Sequence, residues 1–185
     1  MKLSVYKVNA TGVDYYIYRQ SNGSNRNGYP VRTLIETRKI ELNKDSDFEN
    51  SKTELILKTL DYGIYELCLE KIDNKGETEW VLGHFTVTDL GYITRANRPD
   101  AMNVYVLDRN TGKPQPEINV TKYISKWRSG SGYELQDALL KMTDNNGLAE
   151  FSNENNSNNV FFFEKGKDKY FSSASNTFYY DQNTV

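Results

Sequence analysis

"VLDRNTGKPQPEINVTKY", residues 106–123, decides how this chain folds. An apolar run comes first, a polar turn with Gly112 and Pro114 lies in the middle, and an alternating run follows. Gly112 can take a positive φ at the turn, and Pro114 fixes the chain on its way into the next strand. Pro116 has no N–H to give to a ladder, so that strand is expected to begin after it. A phosphate-binding loop would need Ser or Thr after the Gly-Lys pair and a helix beyond, but Pro114 follows Lys113 here. The stretch reads as strand, turn and strand of a β-sandwich.

The same pattern recurs on either side. "LSVYKVN" (3–9), "TLIETRKIEL" (33–42), "TELILKTL" (53–60), "GIYELCLEKI" (63–72) and "TEWVLGHFTVTDL" (78–90) read as short strands. "VDYYIYRQS" (13–21) belongs to that series, followed by a Gly- and Asn-dense loop at 22–30, and "DNKGE" (73–77) is a hairpin turn. The pattern loosens over 88–99, which marks a junction, with Leu90 to Asp100 as its core. Beyond it come "MNVYVLD", "INVTKYIS", a Gly/Ser hinge "RSGSG", "YELQDALLKM", "LAEFS" and "VFFFEKGKDKYFSSAS". "YELQDALLKM" puts Leu135, Leu139, Leu140 and Met142 partly on one helical face, yet turn residues flank it and a strand is expected. "VFFF" lacks alternation and marks a strand buried on both faces. The expectation is an all-β chain of two consecutive immunoglobulin-like antiparallel β-sandwiches, residues 1–89 and 90–185, each of roughly 90 residues.

Composition narrows the function classes. Of 185 residues, 37% are hydrophobic, and mean hydropathy is −0.73. Fourteen Tyr and eight Phe supply apolar area that this average undervalues, and they favour pleated surfaces. A net charge of −2 gives no electrostatic footprint for nucleic acid. No run approaches the roughly 20 apolar residues of a membrane helix, so direct membrane insertion is not expected. Cys68 is the single cysteine, which excludes an intrachain disulfide and suits a reducing cytosol or a bacterial envelope equally. "MKLSVYKVNATG" lacks the apolar core of an export signal. The chain is therefore expected to be cytoplasmic, or a piece of a longer exported protein.

Candidate chemistry is sparse. "TDNNGLAEF" (143–151) brings Asp144, Asn146 and Gly147 into a calcium-loop-like run. With Gly147 at the sixth loop position, Met142 and Asn153 would take the first and twelfth, where carboxylates are needed. A hairpin turn with Gly147 in the left-handed region is the better account, and no metal or cofactor is expected. Cys68-Leu69-Glu70-Lys71 comes within one residue of the Cys-x-Glu-Gln motif that forms internal thioesters, but Lys71 has no acyl group to give. Cys68 reads as a small buried hydrophobe. His84 is the only histidine, so a nucleophile–His–acid triad would require Cys68 or a serine to converge on it. Four N-x-S/T triplets, at Asn9, Asn22, Asn119 and Asn155, are chance matches in an Asn-rich chain. The aromatics of "VDYYIYRQS", with Tyr179 and Tyr180, would be the platform of an alternative function in surface adhesion or carbohydrate binding.

Two long stretches carry a family resemblance. "FTVTDLGYITRANRPDAMNVYVLDRNTGKPQPEINVTKY" and "TDNNGLAEF" resemble the N-terminal half of bacterial α-2-macroglobulin-like proteins, especially the large ones of Bacteroidetes type. The residues that match are Asp-x-x-Thr-Gly-x-Pro at 108–114 and Thr-Asp-x-x-Gly-x-x-x-Phe at 143–151. "SVYKVN", Tyr62-Gly63-Ile64-Tyr65 and "GHFTVTD" look similar to a preceding macroglobulin-like (MG) domain, so the resemblance spans nearly the whole chain. It implies a non-catalytic scaffold module of an endopeptidase inhibitor in the periplasm or cell envelope. Its partners would be neighbouring MG domains of the parent chain and the trapped proteases. The resemblance also implies a further MG domain after "FYYDQNTV". The structural residues expected to matter are Gly112, Pro114, Asp144 and Gly147.

Overall fold

Strands form where apolar and polar side chains alternate, and each ends where a turn residue takes over. The structure, a computed structural model, describes residues 1–9, 13, 14, 16, 31–41, 54–72, 78–98, 101–129, 132–152 and 158–172. Among these lie β1 (Lys2–Val8), β2 (Arg32–Lys39), β3 (Gly63–Ile72), β4 (Thr78–Val87), β5 (Leu90–Arg98) and β6 (Ala101–Asp108). They are followed by β7 (Asn119–Arg128), β8 (Gly132–Met142), β9 (Leu148–Ser152), β10 (Asn159–Lys165) and β11 (Asp168–Phe171). All pairings are antiparallel, so the chain is all-β as the patterning required. It divides into two compact units: Met1–Asn9 with Val31–Val87, and Ala10–Pro30 with Thr88–Val185.

In the first unit the described strands make one four-stranded sheet in the order β2-β1-β3-β4. Strand register separates two faces. Leu3 sits opposite Leu69 and Val5 opposite Leu67, while Ser4 sits opposite Cys68 and Tyr6 opposite Glu66. The period of two therefore sorts an apolar face from a polar one. Leu3, Val5 and Tyr65 are buried, and Tyr65 stacks on Phe85 at 5.4 Å.

The second unit is a sandwich of a three-stranded sheet, β5-β6-β9, and a four-stranded sheet, β11-β10-β7-β8. Its core joins Leu90, Met102, Val104 and Val106 with Ile118, Val120, Phe151, Phe161 and Phe163. "VFFF" is buried on both faces, as its lack of alternation required. Phe161 and Phe163 enter the core, while Val160 packs behind the sheet with Tyr16 and Phe171. β7 begins at Asn119, after Pro116, and "YELQDALLKM" lies in β8.

Four expectations are corrected. "TELILKTL" forms no strand over 54–60, although half-buried and exposed residues alternate there. Alternation sets which side chains are covered, but a strand also needs a partner for its ladder. The loosened stretch after residue 89 is β5, paired with β6, and not a linker. As an edge strand it sends only Leu90 and Tyr92 to the core cluster, so its pattern looks weak. "VDYYIYRQS" is helical at Val13, Asp14 and Tyr16. Residues Ala10–Pro30, placed in the first module from sequence, cluster with the second unit. The turn expected at 73–77 and the Asn-rich loops at 22–30 and 153–157 lie outside the described residues.

Candidate functional site

The two turns singled out from sequence meet at one end of the second unit. In the first, the Asp108 carboxylate accepts hydrogen bonds from the Asn110 amide (3.1 Å), the Thr111 amide (2.8 Å) and the Thr111 hydroxyl (2.8 Å). Gly112, at φ 70°, donates its N–H to the Asp108 carbonyl at 2.8 Å. Pro114 then forms an isolated bridge with Leu107. In the second turn, Asp144 Oδ1 accepts from the amides of Asn146 (2.8 Å) and Leu148 (2.9 Å). Gly147, at φ 71°, closes it by donating to the Asp144 carbonyl at 2.9 Å.

Val106 links the turns, donating its amide to the Gly147 carbonyl (2.8 Å) and accepting from the Gln115 amide (2.9 Å). A Cβ on Gly147 would lie 2.5 Å from the Val106 carbonyl oxygen and 3.3 Å from Pro114 Cα, whereas one on Gly112 would meet nothing within 4 Å. Buried Thr143 adds a further tie: its hydroxyl accepts from the Ile118 amide (2.9 Å) and donates to the Gln115 carbonyl (2.8 Å).

These bonds decide what the carboxylates can do. The Thr111 hydroxyl and amide hold the Asp108 carboxyl below its ordinary pKa, and the Leu148 amide, followed by the Asn146 amide, does the same for Asp144. Both are anions committed to their own backbone, as in Asx-type turns. Asp144 is thus a turn-former, and Asn153 lies outside the described residues. Among the described residues, no group of three His, Cys, Asp or Glu side chains is arranged to hold a metal ion.

The polar face of the first unit gathers the remaining chemistry. Glu66 is buried between Arg32, which ion-pairs with one carboxylate oxygen, and His84, whose Nε2 lies 3.3 Å from the other. Register places this group: His84 sits opposite Glu66 on β4, and Tyr6 sits opposite it on β1. The Arg32 guanidinium lies over the Tyr6 ring at 4.3 Å, which orients it toward Glu66. Cys68 shares that face, two residues from Glu66. Burial, then the Glu70 charge, push its thiol pKa up, which is opposite to what a nucleophile needs. Its Sγ donates to Glu70 at 3.9 Å. Lys71, three residues on, falls on the opposite face of β3, so strand geometry as well as chemistry separates it from Cys68.

Sequence reasoning missed Glu66 and Asp168, and took Tyr16 only as part of an exposed aromatic platform. Tyr16 is buried, donates its hydroxyl to Ser125 at 3.1 Å and packs on Phe171 at 5.3 Å. Glu66 had a signal: in "YELCLE" it shares a face with Cys68 and Glu70. Tyr16 and Asp168 had none, because each owes its place to residues more than 75 positions away.

No family model matches the chain, and no curated protein matches it. Among solved structures, it is similar to native α-2-macroglobulin from Escherichia coli in a fragment spanning domains NIE-MG1. That likeness has a TM-score of 0.65 at 14% identity and covers 91% of this chain and 80% of the other. A longer fragment of the same protein, spanning MG0-NIE-MG1, gives 0.61 at 14% identity, over 92% of this chain and 53% of that one. At this identity the likeness shows the fold: antiparallel β-sandwich architecture of the macroglobulin, immunoglobulin-like kind.

Proposed function

We propose that the chain is a non-catalytic structural module of a bacterial α-2-macroglobulin-like protein, of the large Bacteroidetes type, acting in the cell envelope as a broad-spectrum protease trap. The observation that carries this reading is the structural likeness over 91% of the chain, which takes in both units at once. The motifs at 108–114 and 143–151 support it, and both serve as turns whose carboxylates are bound by their own backbone. Neighbouring macroglobulin domains and proteases are the partners of the parent in this reading. The alternative of a sugar-binding sandwich is weakened at one point, because Tyr16 of its aromatic platform is buried. Tyr179 and Tyr180 lie outside the described residues.

The test uses the parent protein encoded around this segment, incubated with a serine endopeptidase. Cleavage of a large protein substrate should fall severalfold while cleavage of a small peptide substrate persists, as steric entrapment demands. Equal persistence of both activities would overturn the trapping role. Inhibition of both by the isolated chain would overturn its scaffold role.

A further inference from the structure

Thr88 to Leu90, where the chain re-enters the second unit after β4, are held by four hydrogen bonds. The first unit's last segment ends at Val87, and the second unit's long segment begins at Thr88. Asp89 donates its amide to Asp168 Oδ2 at 2.9 Å, and its carbonyl accepts the Arg109 amide at 2.7 Å. Its carboxylate accepts from the Asn110 side-chain amide at 3.3 Å. Leu90 donates its amide to the Thr88 hydroxyl at 3.0 Å, and both of these residues are buried. Asp168 stands at the start of β11, directly after the Gly166 turn, and is itself only 5% exposed. Its Oδ1 is buried with no hydrogen-bond partner among the described residues. A buried carboxylate with one oxygen unpaired is a costly way to cap one amide, since Ser or Asn would cap it more cheaply.

We propose that Asp168 is a latch: its buried carboxylate clamps Asp89 to β11, and its unpaired oxygen keeps that clamp poised for release. When the latch is closed, this crossing is part of the second sandwich from Thr88 onward. When it opens, Asp89 loses its amide acceptor, and the crossing lengthens by the residues that β5 gives up. The latch stands on contacts within the second unit and does not depend on the trapping role.

Hydrogen exchange on the full chain tests it. In Asp168→Ala, exchange of the Asp89, Leu90 and Arg109 amides should accelerate by about tenfold, while Val120 and Phe161 in the core keep their protection. Asp168→Asn retains an acceptor and adds a donor for its surroundings, so it should restore protection at Asp89 to the wild-type level or above. Unchanged exchange at Asp89 in the alanine variant, or acceleration spread evenly over the core amides, would overturn the latch. Should the alanine variant not fold, Asp168→Asn carries the test alone: protection at Asp89 below the wild-type level would overturn the clamp.

Discussion

Gly147 and Gly112 share almost the same φ, 71° and 70°, yet they should answer substitution very differently. A methyl on Gly112 points into open space, so Gly112→Ala should cost only the left-handed penalty of about 1 kcal/mol. A methyl on Gly147 meets the Val106 carbonyl and the Pro114 backbone, neither of which can swing aside. Gly147→Ala should therefore lose at least about 2 kcal/mol more than Gly112→Ala in chemical denaturation. Equal losses would mean that the two turns do not pack together. Asp108 and Asp144 make a second residue-scale prediction. Both carboxyls titrate below their ordinary value in the fold, so each adds stability at neutral pH that is lost as pH falls through the folded value, below about pH 4. Asp144→Asn should flatten that acid limb while leaving the difference between pH 6 and pH 8 unchanged, read from melting temperatures across pH.

At the scale of the element, β10 shows what period reading can and cannot do. Its unbroken "VFFF" announces burial on both faces, and the inner face finds its partners in the opposing sheet. The outer face finds Tyr16, from a helical segment that lies far away in sequence. Tyr16→Phe removes the buried bond to Ser125 and should cost about 1 kcal/mol. Tyr16→Ala uncovers Val160 and Phe171 as well, at about 3 kcal/mol. Binding of a hydrophobic dye should rise in the alanine variant and not in the phenylalanine one. If dye binding is the same in both, Tyr16 is not the cover of that face. β5 and the described residues 54–60 show the converse: a real edge strand with a weak pattern, and a good pattern with no ladder.

For the whole molecule, the consequential feature is that Ala10–Pro30 leaves the first unit between β1 and β2 and clusters with the second. Replacing Ala10–Pro30 by a Gly/Ser linker of equal length should lower the second unit's stability by about 3 kcal/mol, matching Tyr16→Ala. The β1–β2 pairing of the first unit should be kept. Domain-resolved melting by exchange or NMR separates the two effects. A loss confined to the first unit would show that the segment belongs there after all.

Sequence alone determined what depends on neighbours along the chain: the all-β class, the strands around 106–123, and the Gly112 and Gly147 turns, with Asp144 in the second. Each of these follows from side-chain alternation or from the φ that only a few residues tolerate, and both act over a handful of positions. Tertiary structure alone decided which strand found a ladder and that Tyr16 covers the second unit. It also set Arg32 and His84 around the buried Glu66, and the position of Asp168 under Asp89. Those depend on strand register and on contacts between distant segments, for which no local periodicity carries a record.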